Sequence, residues 1–453
     1  MQEIQFIDTS LRDGNQSLWD ATGITTGDVL AIAPQVNKVG FRAVDFISNS
    51  GMDTAVRYHR ENPWERVRLA VQAMPDTPLS FGTTSRRFIG FKRTPDSILA
   101  LVIKRMKANG IRRVWILDAA HEVSSLLKVA HMCKAVGIEE TVIALSFSLS
   151  PVHTDEFFGR LTGELTHDPD VNTVYIKDQG GLLTPERIKT LVPAVQAHLN
   201  GKTLEIHSHC NTGLAPLVYL EAIRMGVHIV HTGVPPVANG TAQPSIYNIL
   251  NNIKYMGYTA KINAEALAAM ASYLEEVAAK TGKPRGVPFE YDISIYEHQL
   301  PGGMVSTMKR QLKEGKMEDR LPEVMEEIIR VRKELGWPIM VTPLSQMVGS
   351  QATMNVMSGE RYKVISSGVM EYVAGYFGPS PVPIDPTILD KITSVPKVKK
   401  MMAEEFPQPS IAELRRQIGA GADMDDEEFL LRYAMRAEDV NAMLARGPFK
   451  AAG

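Results

Sequence analysis

Hydrophobic and polar positions follow two alternating periods along the first half of the chain. Short runs rich in Val, Ile, Leu and Phe stand at residues 4–8, 43–47, 79–82, 113–118, 142–147, 173–177, 204–209 and 228–232. Between them, apolar residues recur at helical spacing over 26–39, 63–73, 95–109, 123–136, 185–199 and 215–225. Near-continuous apolar runs flanked by amphipathic helices are what strands buried on both faces of a parallel sheet require. Repeated strand–helix units predict an α/β fold, a TIM (β/α)8 barrel, with an open doubly wound sheet as the alternative. After about residue 260 the pattern turns helical, over 264–281, 304–312, 322–335 and a charged stretch at 411–444 broken by GAGA at 419–422. Prolines 379, 381, 383 and 386 mark a linker. The expected division is a barrel domain over 1–290 and a mostly helical C-terminal domain over 291–453.

In such barrels the chemistry sits where the strands end at their carboxyl side, and several of these apolar runs end in polar groups. His207 and His209 stand at i and i+2 of a strand, so both imidazoles face one side and can reach one metal ion. Asp13 follows the first run and Lys177 ends the sixth. An ammonium group is a cation and cannot ligate a metal. Carbamylation by CO2 would turn Lys177 into an anionic oxygen donor. Asp13, Lys177, His207 and His209 then form a four-ligand site. The alternative for Lys177 is an unmodified side chain paired with Asp178. Cys210, beside His209, reads as a packed small residue.

Hydrophobic residues make up 44% of the 453 positions and charged residues 22%, the balance of a soluble globular protein with a large core. A formal net charge of −2 gives no reason to expect nucleic acid or an anionic membrane as partner. Two cysteines, Cys133 and Cys210, make no disulfide framework, which suits a reducing cytoplasm. No apolar stretch is long enough to span a bilayer, and the N-terminus runs into a strand without a leader pattern. The expectation is a soluble cytoplasmic protein. The acidic run at 423–428 reads as the N-terminal face of a helix, where carboxylates suit the helix dipole.

A set of motifs carries a resemblance. DTSLRDGNQS at 8–17, NPWER at 62–66, IKD at 176–178, LLTP at 182–185, HSH at 207–209 and GTAQP at 240–244 are followed by YEHQLPGG at 296–303, VTPLSQ at 341–346, GERYK at 359–363 and PIDP at 383–386. In this order they resemble the biotin-dependent carboxyltransferases: the central domain of pyruvate carboxylase, the α subunit of oxaloacetate decarboxylase and the transcarboxylase 5S subunit. The resemblance implies a metal-containing TIM barrel followed by a helical region that helps close the active site. It implies a divalent metal (zinc, manganese or cobalt) on Asp13, carbamylated Lys177, His207 and His209. It also implies a substrate contact from Gln16 and a proton shuttle at Ser306, where the family has threonine. Arg12, next to Asp13, is placed to stabilise a developing enolate oxygen.

Two departures from the family pattern stand out. The family's strand-three arginine, which grips a pyruvate carboxylate, aligns with Thr84 in SFGTTSRRFIGF at 80–91. Arg86 and Arg87 are the nearby candidates to replace it, and a bidentate clamp depends on geometry. The acceptor is therefore pyruvate- or oxaloacetate-like, or a variant. The second departure is the lack of a biotin-attachment motif, so biotin is expected in trans on a carrier protein, with biotin carboxylase or other carboxylase subunits as partners and a homodimer as the family's assembly. The rival readings are a metal-dependent lyase or Claisen-type condensing enzyme on the same barrel, and a non-catalytic scaffold subunit.

Overall fold

The computed structural model describes residues 2–450 except 91, 301–307, 310, 311, 315, 316 and 422. Strands β1 (Gln5–Asp8), β2 (Ala43–Ser48), β3 (Leu79–Thr84), β4 (Arg113–Leu117), β5 (Glu140–Ser146), β6 (Thr173–Asp178), β7 (Thr203–Ser208) and β8 (Ile229–Thr232) form one closed parallel barrel in chain order. β1 closes it against β8, with Phe6 opposite Val230 and Asp8 opposite Thr232. The strands begin and end within two residues of the apolar runs. The TIM barrel replaces the open doubly wound alternative.

Strand alternation divides the side chains sharply. Outward positions such as Val114, Ile116, Ile143, Leu145, Val174, Ile176 and Ile206 join the helices in one large apolar core. Inward positions include Asp45, Arg113, Tyr175, Lys177, Glu205, His207 and His231, all nearly inaccessible to solvent. The interior of this barrel is thus unusually polar, since branched apolar residues normally fill it.

Helices Asp155–Thr166 and Ile246–Tyr255 complete the outer ring. The first lacks an obvious helical signature because Gly159 and Gly163 weaken it. Those glycines let it lie close to the next helix: a Cβ on Gly159 would stand 3.0 Å from the Ala194 carbonyl oxygen. Elsewhere the ends are set locally. Thr25 and Asp28 form a capping box, and Asn62 caps a helix that starts at Pro63.

Helices Leu321–Glu334 and Leu344–Ser358 pack together, and their Val324, Ile328, Val331, Val348 and Ala352 share one cluster with Trp115, Leu117, Ala144 and Tyr175 of the barrel. The helical region is docked to the loop after β5 by polar contacts. Gln299 Nε2 donates to the Leu149 carbonyl at 2.8 Å, and Arg332 Nη2 donates to Ser148 Oγ at 2.8 Å. The last helices, Asp426–Ala434 and Ala437–Arg446, do not belong to that cluster. Their Phe429, Leu430, Leu431, Val440 and Met443 return to the barrel core. The acidic run at 423–428 does stand at the N-terminal face of a helix, Asp426–Ala434. Asp425 caps the helix, but Glu427 is buried and receives Arg68 at 2.7 Å, Arg105 at 2.8 Å and Asn109 at 2.7 Å. Among the described residues no helix is long and apolar enough to cross a membrane.

Candidate active site

After β1 the chain makes a single π-helical turn, Ser10–Gly14, whose residues are all buried. Asp8 fixes it by accepting from Ser10 Oγ at 2.6 Å and Ser10 N at 3.2 Å, while Ser10 Oγ accepts from Val234 N at 2.7 Å. That turn aims Asp13 into the barrel mouth. Pairing of β6 with β7 sets Lys177 opposite His207, and alternation brings His209 to the same face. The structure thus gathers residues from β1, β6 and β7 into one cluster. Asp13 Oδ2 lies 3.2 Å from His207 Nε2, 3.5 Å from His209 Nε2 and 3.9 Å from Lys177 Nζ. The two imidazole Nε2 atoms are 3.2 Å apart, and Lys177 Nζ is 3.3 Å from His207 Nε2.

These spacings suit a cation. Donors arranged tetrahedrally at about 2.0–2.1 Å from a metal stand about 3.3–3.4 Å from one another. His209 Nδ1 donates to the Thr241 carbonyl at 2.6 Å, so its Nε2 presents a lone pair to Asp13 and His207. Asp13 Oδ2 is buried and has no hydrogen-bond partner among the described residues. A buried carboxylate oxygen facing imidazole lone pairs is costly unless positive charge sits among them. Burial favours the neutral acid, but the Arg12 guanidinium beside it outweighs that and holds the Asp13 carboxyl well below the usual range. Burial, reinforced by Lys177, keeps His207 neutral by pushing it well below its ordinary value. Burial also pushes the Lys177 ammonium down to about 8, against the pull of Asp13. The neutral amine, the form that adds CO2, is correspondingly easier to reach. Asp178 is no partner for Lys177. Its carboxylate accepts from Leu182 N at 2.8 Å, Leu183 N at 2.9 Å and Ser208 Oγ at 2.7 Å, on the other face of β6.

Arg12 is held by groups that the sequence pattern did not single out. Its Nε donates to Asp45 Oδ2 at 2.7 Å, its Nη2 bonds the same oxygen, and Nη2 lies 3.1 Å from Asp13 Oδ2. Trp115 donates to Asp45 Oδ1 at 2.9 Å and lies beneath both cations, with Arg12 4.9 Å and Lys177 5.4 Å from the ring centre. Gly82 leaves room for that indole, since a Cβ there would stand 2.0 Å from the Trp115 ring. Asp45 and Trp115 hide inside apolar runs. A charged residue within a strand buried on both faces was the available signal.

The remaining expected residues separate. Gln16 lies exposed on the short helix Asn15–Trp19. Thr84 is used by its own loop: its Oγ1 donates to the Arg87 carbonyl at 3.1 Å and accepts from Arg87 N at 3.1 Å. Arg86 is committed to Asp118, 3.1 Å from Nε, and to Glu122. Arg87 differs. It is buried, lies 5.9 Å over the Phe377 ring, and has no carboxylate within ion-pair distance among the described residues. Burial pushes its guanidinium down to about 10. Ser306 lies outside the described residues.

A family model described as "HMGL-like" matches residues 3–274, and one described as "Conserved carboxylase domain" matches residues 295–448. A pyruvate carboxylase subunit of Methanocaldococcus jannaschii is 33% identical over 452 residues, covering 99% of this chain and 78% of that protein. The chain belongs to the biotin-dependent carboxyltransferases. The 2-oxoglutarate carboxylase large subunit of Hydrogenobacter thermophilus is 29% identical, over 97% of this chain and 68% of its own length. The solved carboxyl transferase domain of Rhizobium etli pyruvate carboxylase with pyruvate superposes with a TM-score of 0.87 at 20% identity, covering 98% of this chain and 77% of that one. Its fold is the same barrel with a helical C-terminal region. As a biotin-dependent carboxyltransferase the chain is an enzyme subunit, and its match over 295–448 covers the segments that a lyase reading leaves unused.

Proposed function

We propose that this carboxyltransferase moves CO2 between carboxybiotin and a 2-oxo acid at a divalent-metal site made by Asp13, Lys177, His207 and His209. The observation that carries the reading is the buried meeting of Asp13 Oδ2 with two imidazole Nε2 atoms, at 3.2 and 3.5 Å. A divalent cation bound there supplies Lewis-acid polarisation of the acceptor carbonyl, an effect worth several kcal/mol of barrier. Lys177 joins the set as a carbamate, and zinc, manganese or cobalt suit these donors. Arg12, held rigid by Asp45 and Trp115, offers fixed positive charge beside the developing enolate oxygen. Gln16 contacts the acceptor from the rim. The Ser306 hydroxyl relays the proton between the acceptor carbon and the biotin ring nitrogen, a role typically worth about 10²–10⁴-fold.

Arg87 replaces the arginine missing at Thr84. It is a buried guanidinium with no carboxylate within ion-pair distance among the described residues, Asp118 acting on it only from farther off, so an acceptor carboxylate can supply a direct partner. Arg86 braces the loop. Residues 1–290 carry the chemistry and 291–453 close over it. Biotin arrives on a separate carrier chain within a multisubunit enzyme that includes a biotin carboxylase, and the carboxyltransferase itself is a homodimer.

The test is direct transfer. The purified chain, its biotinylated carrier and labelled carboxybiotin are offered a panel of 2-oxo acids, amides and acyl thioesters. Label should pass to 2-oxo acids in a metal-dependent way. Transfer only to thioesters, or none with metal bound, would defeat the proposal.

A further inference from the structure

The site described above accounts for Asp13, Lys177 and the two histidines of β7, but not for the polar column beneath them. Glu205, His207 and His209 lie at alternate positions from β7, so they share the inward face, and His231 stands beside them on β8. Glu205 is completely buried, with its Oε2 2.5 Å from Arg113 Nη2 and 2.9 Å from His231 Nε2. His231 Nδ1 in turn lies 3.1 Å from His207 Nδ1, and Tyr175 stacks on the His231 ring at 5.2 Å and 19°.

Each contact dictates the next. A carboxylate beside a guanidinium only accepts, so the proton on His231 sits on Nε2. A neutral imidazole protonated there has its lone pair on Nδ1. The 3.1 Å contact is then a hydrogen bond only if His207 donates from Nδ1. His207 must consequently present a lone pair at Nε2, the atom 3.2 Å from both Asp13 Oδ2 and His209 Nε2. His209 reaches the same tautomer by donating to a backbone carbonyl. His207 reaches it through a second imidazole and a carboxylate.

We propose that Glu205 and His231 are positioning residues that fix the His207 tautomer and ring plane for metal binding. The inference rests on the metal-site reading above. Groups that orient a metal-bound histidine typically change metal affinity by about 10–100-fold when removed.

The test measures Zn2+ affinity by chelator competition, the d–d absorption of the Co2+-loaded protein, and melting of the metal-free protein. It compares the parent chain with Glu205→Gln, His231→Leu, His231→Asn and His207→Ala. Glu205→Gln and His231→Leu should weaken binding about 10–100-fold and shift the Co2+ bands. His231→Asn places an amide oxygen near the former Nδ1 and should recover most of the affinity that His231→Leu loses. Parent-like affinity and bands in Glu205→Gln and His231→Leu would refute the relay. So would a His231→Asn protein as weak as His231→Leu whose metal-free form melts equally low, since that is structural damage alone. If the parent binds no Zn2+, or His207→Ala binds as tightly as the parent, the metal reading fails and the relay with it.

Discussion

The floor and the mouth of this barrel both bury charge, but they settle it differently. At the floor, Arg113 lies between Glu205 at 2.5 Å and Glu140 at 3.2 Å, and Glu140 also takes Arg42 at 2.7 Å and Thr173 at 2.8 Å. Cations and carboxylates there answer one another. At the mouth, Asp13 Oδ2 has Arg12 Nη2 at 3.1 Å but also faces two imidazoles, and Arg87 has no carboxylate within ion-pair distance among the described residues. Folding alone does not explain the second arrangement, because an unpaired buried charge is strongly unfavourable. The floor reads as scaffold. On the proposed function, the mouth is completed by the metal and the acceptor.

The largest expected effect breaks the mouth. Asp13→Ala or Lys177→Ala should lose metal and reduce transfer by at least roughly 10²–10³-fold while the metal-free protein melts near the parent. Full activity in the Lys177→Ala protein would remove it from the site. The next breaks the floor. Arg113→Met leaves Glu205 and Glu140 short of a cation and should destabilise the fold by about 3–5 kcal/mol in urea unfolding. An unchanged midpoint would show that the floor network is not structural.

The third is a pH effect. Burial opposes ionisation of Glu205, but Arg113 and His231 outweigh it and hold the carboxyl at about 2, against an ordinary 4.5. The unfolded chain therefore takes up the proton first. Glu205 contributes its full stability above pH 4.5 and loses it as pH falls toward 2, an order of about 3 kcal/mol. Glu205→Gln should flatten that part of the stability–pH curve, and an unaltered slope would contradict the pairing. The smallest effect sharpens the contrast within one loop. Arg87→Gln should raise KM for the acceptor by about 10–100-fold, the loss of one charged hydrogen-bonded contact, with little change in melting. Arg86→Gln should instead lower stability more than it raises KM.

Much of this was legible in the sequence because it obeys short-range rules. The eight strands announce themselves as apolar runs, and Asp13, Lys177, His207 and His209 stand at or just past strand ends. Asp45, Trp115, Glu205 and His231 did not stand out, because each lies inside such a run. Counting by twos back from His207 would have put Glu205 on its face, but only the closed barrel shows that His231 falls between them. Glu427 was illegible for another reason. Its neighbours are acids that suit a helix start, and Arg68 and Arg105, its actual partners, lie more than three hundred residues away in sequence. The choice between Arg86 and Arg87 also needed structure, since only the fold places Asp118 and Glu122 against the first.

The return of the last helices to the barrel has a mechanical consequence. The helical cluster of Leu321–Glu334 and Leu344–Ser358 lies along the chain between the helices Ala264–Thr281 and Asp426–Ala434, which both pack on the barrel core, with Glu427 as one of the pins. A segment fastened at one end can swing clear. One fastened at both cannot come away from the barrel without undoing one of its attachments.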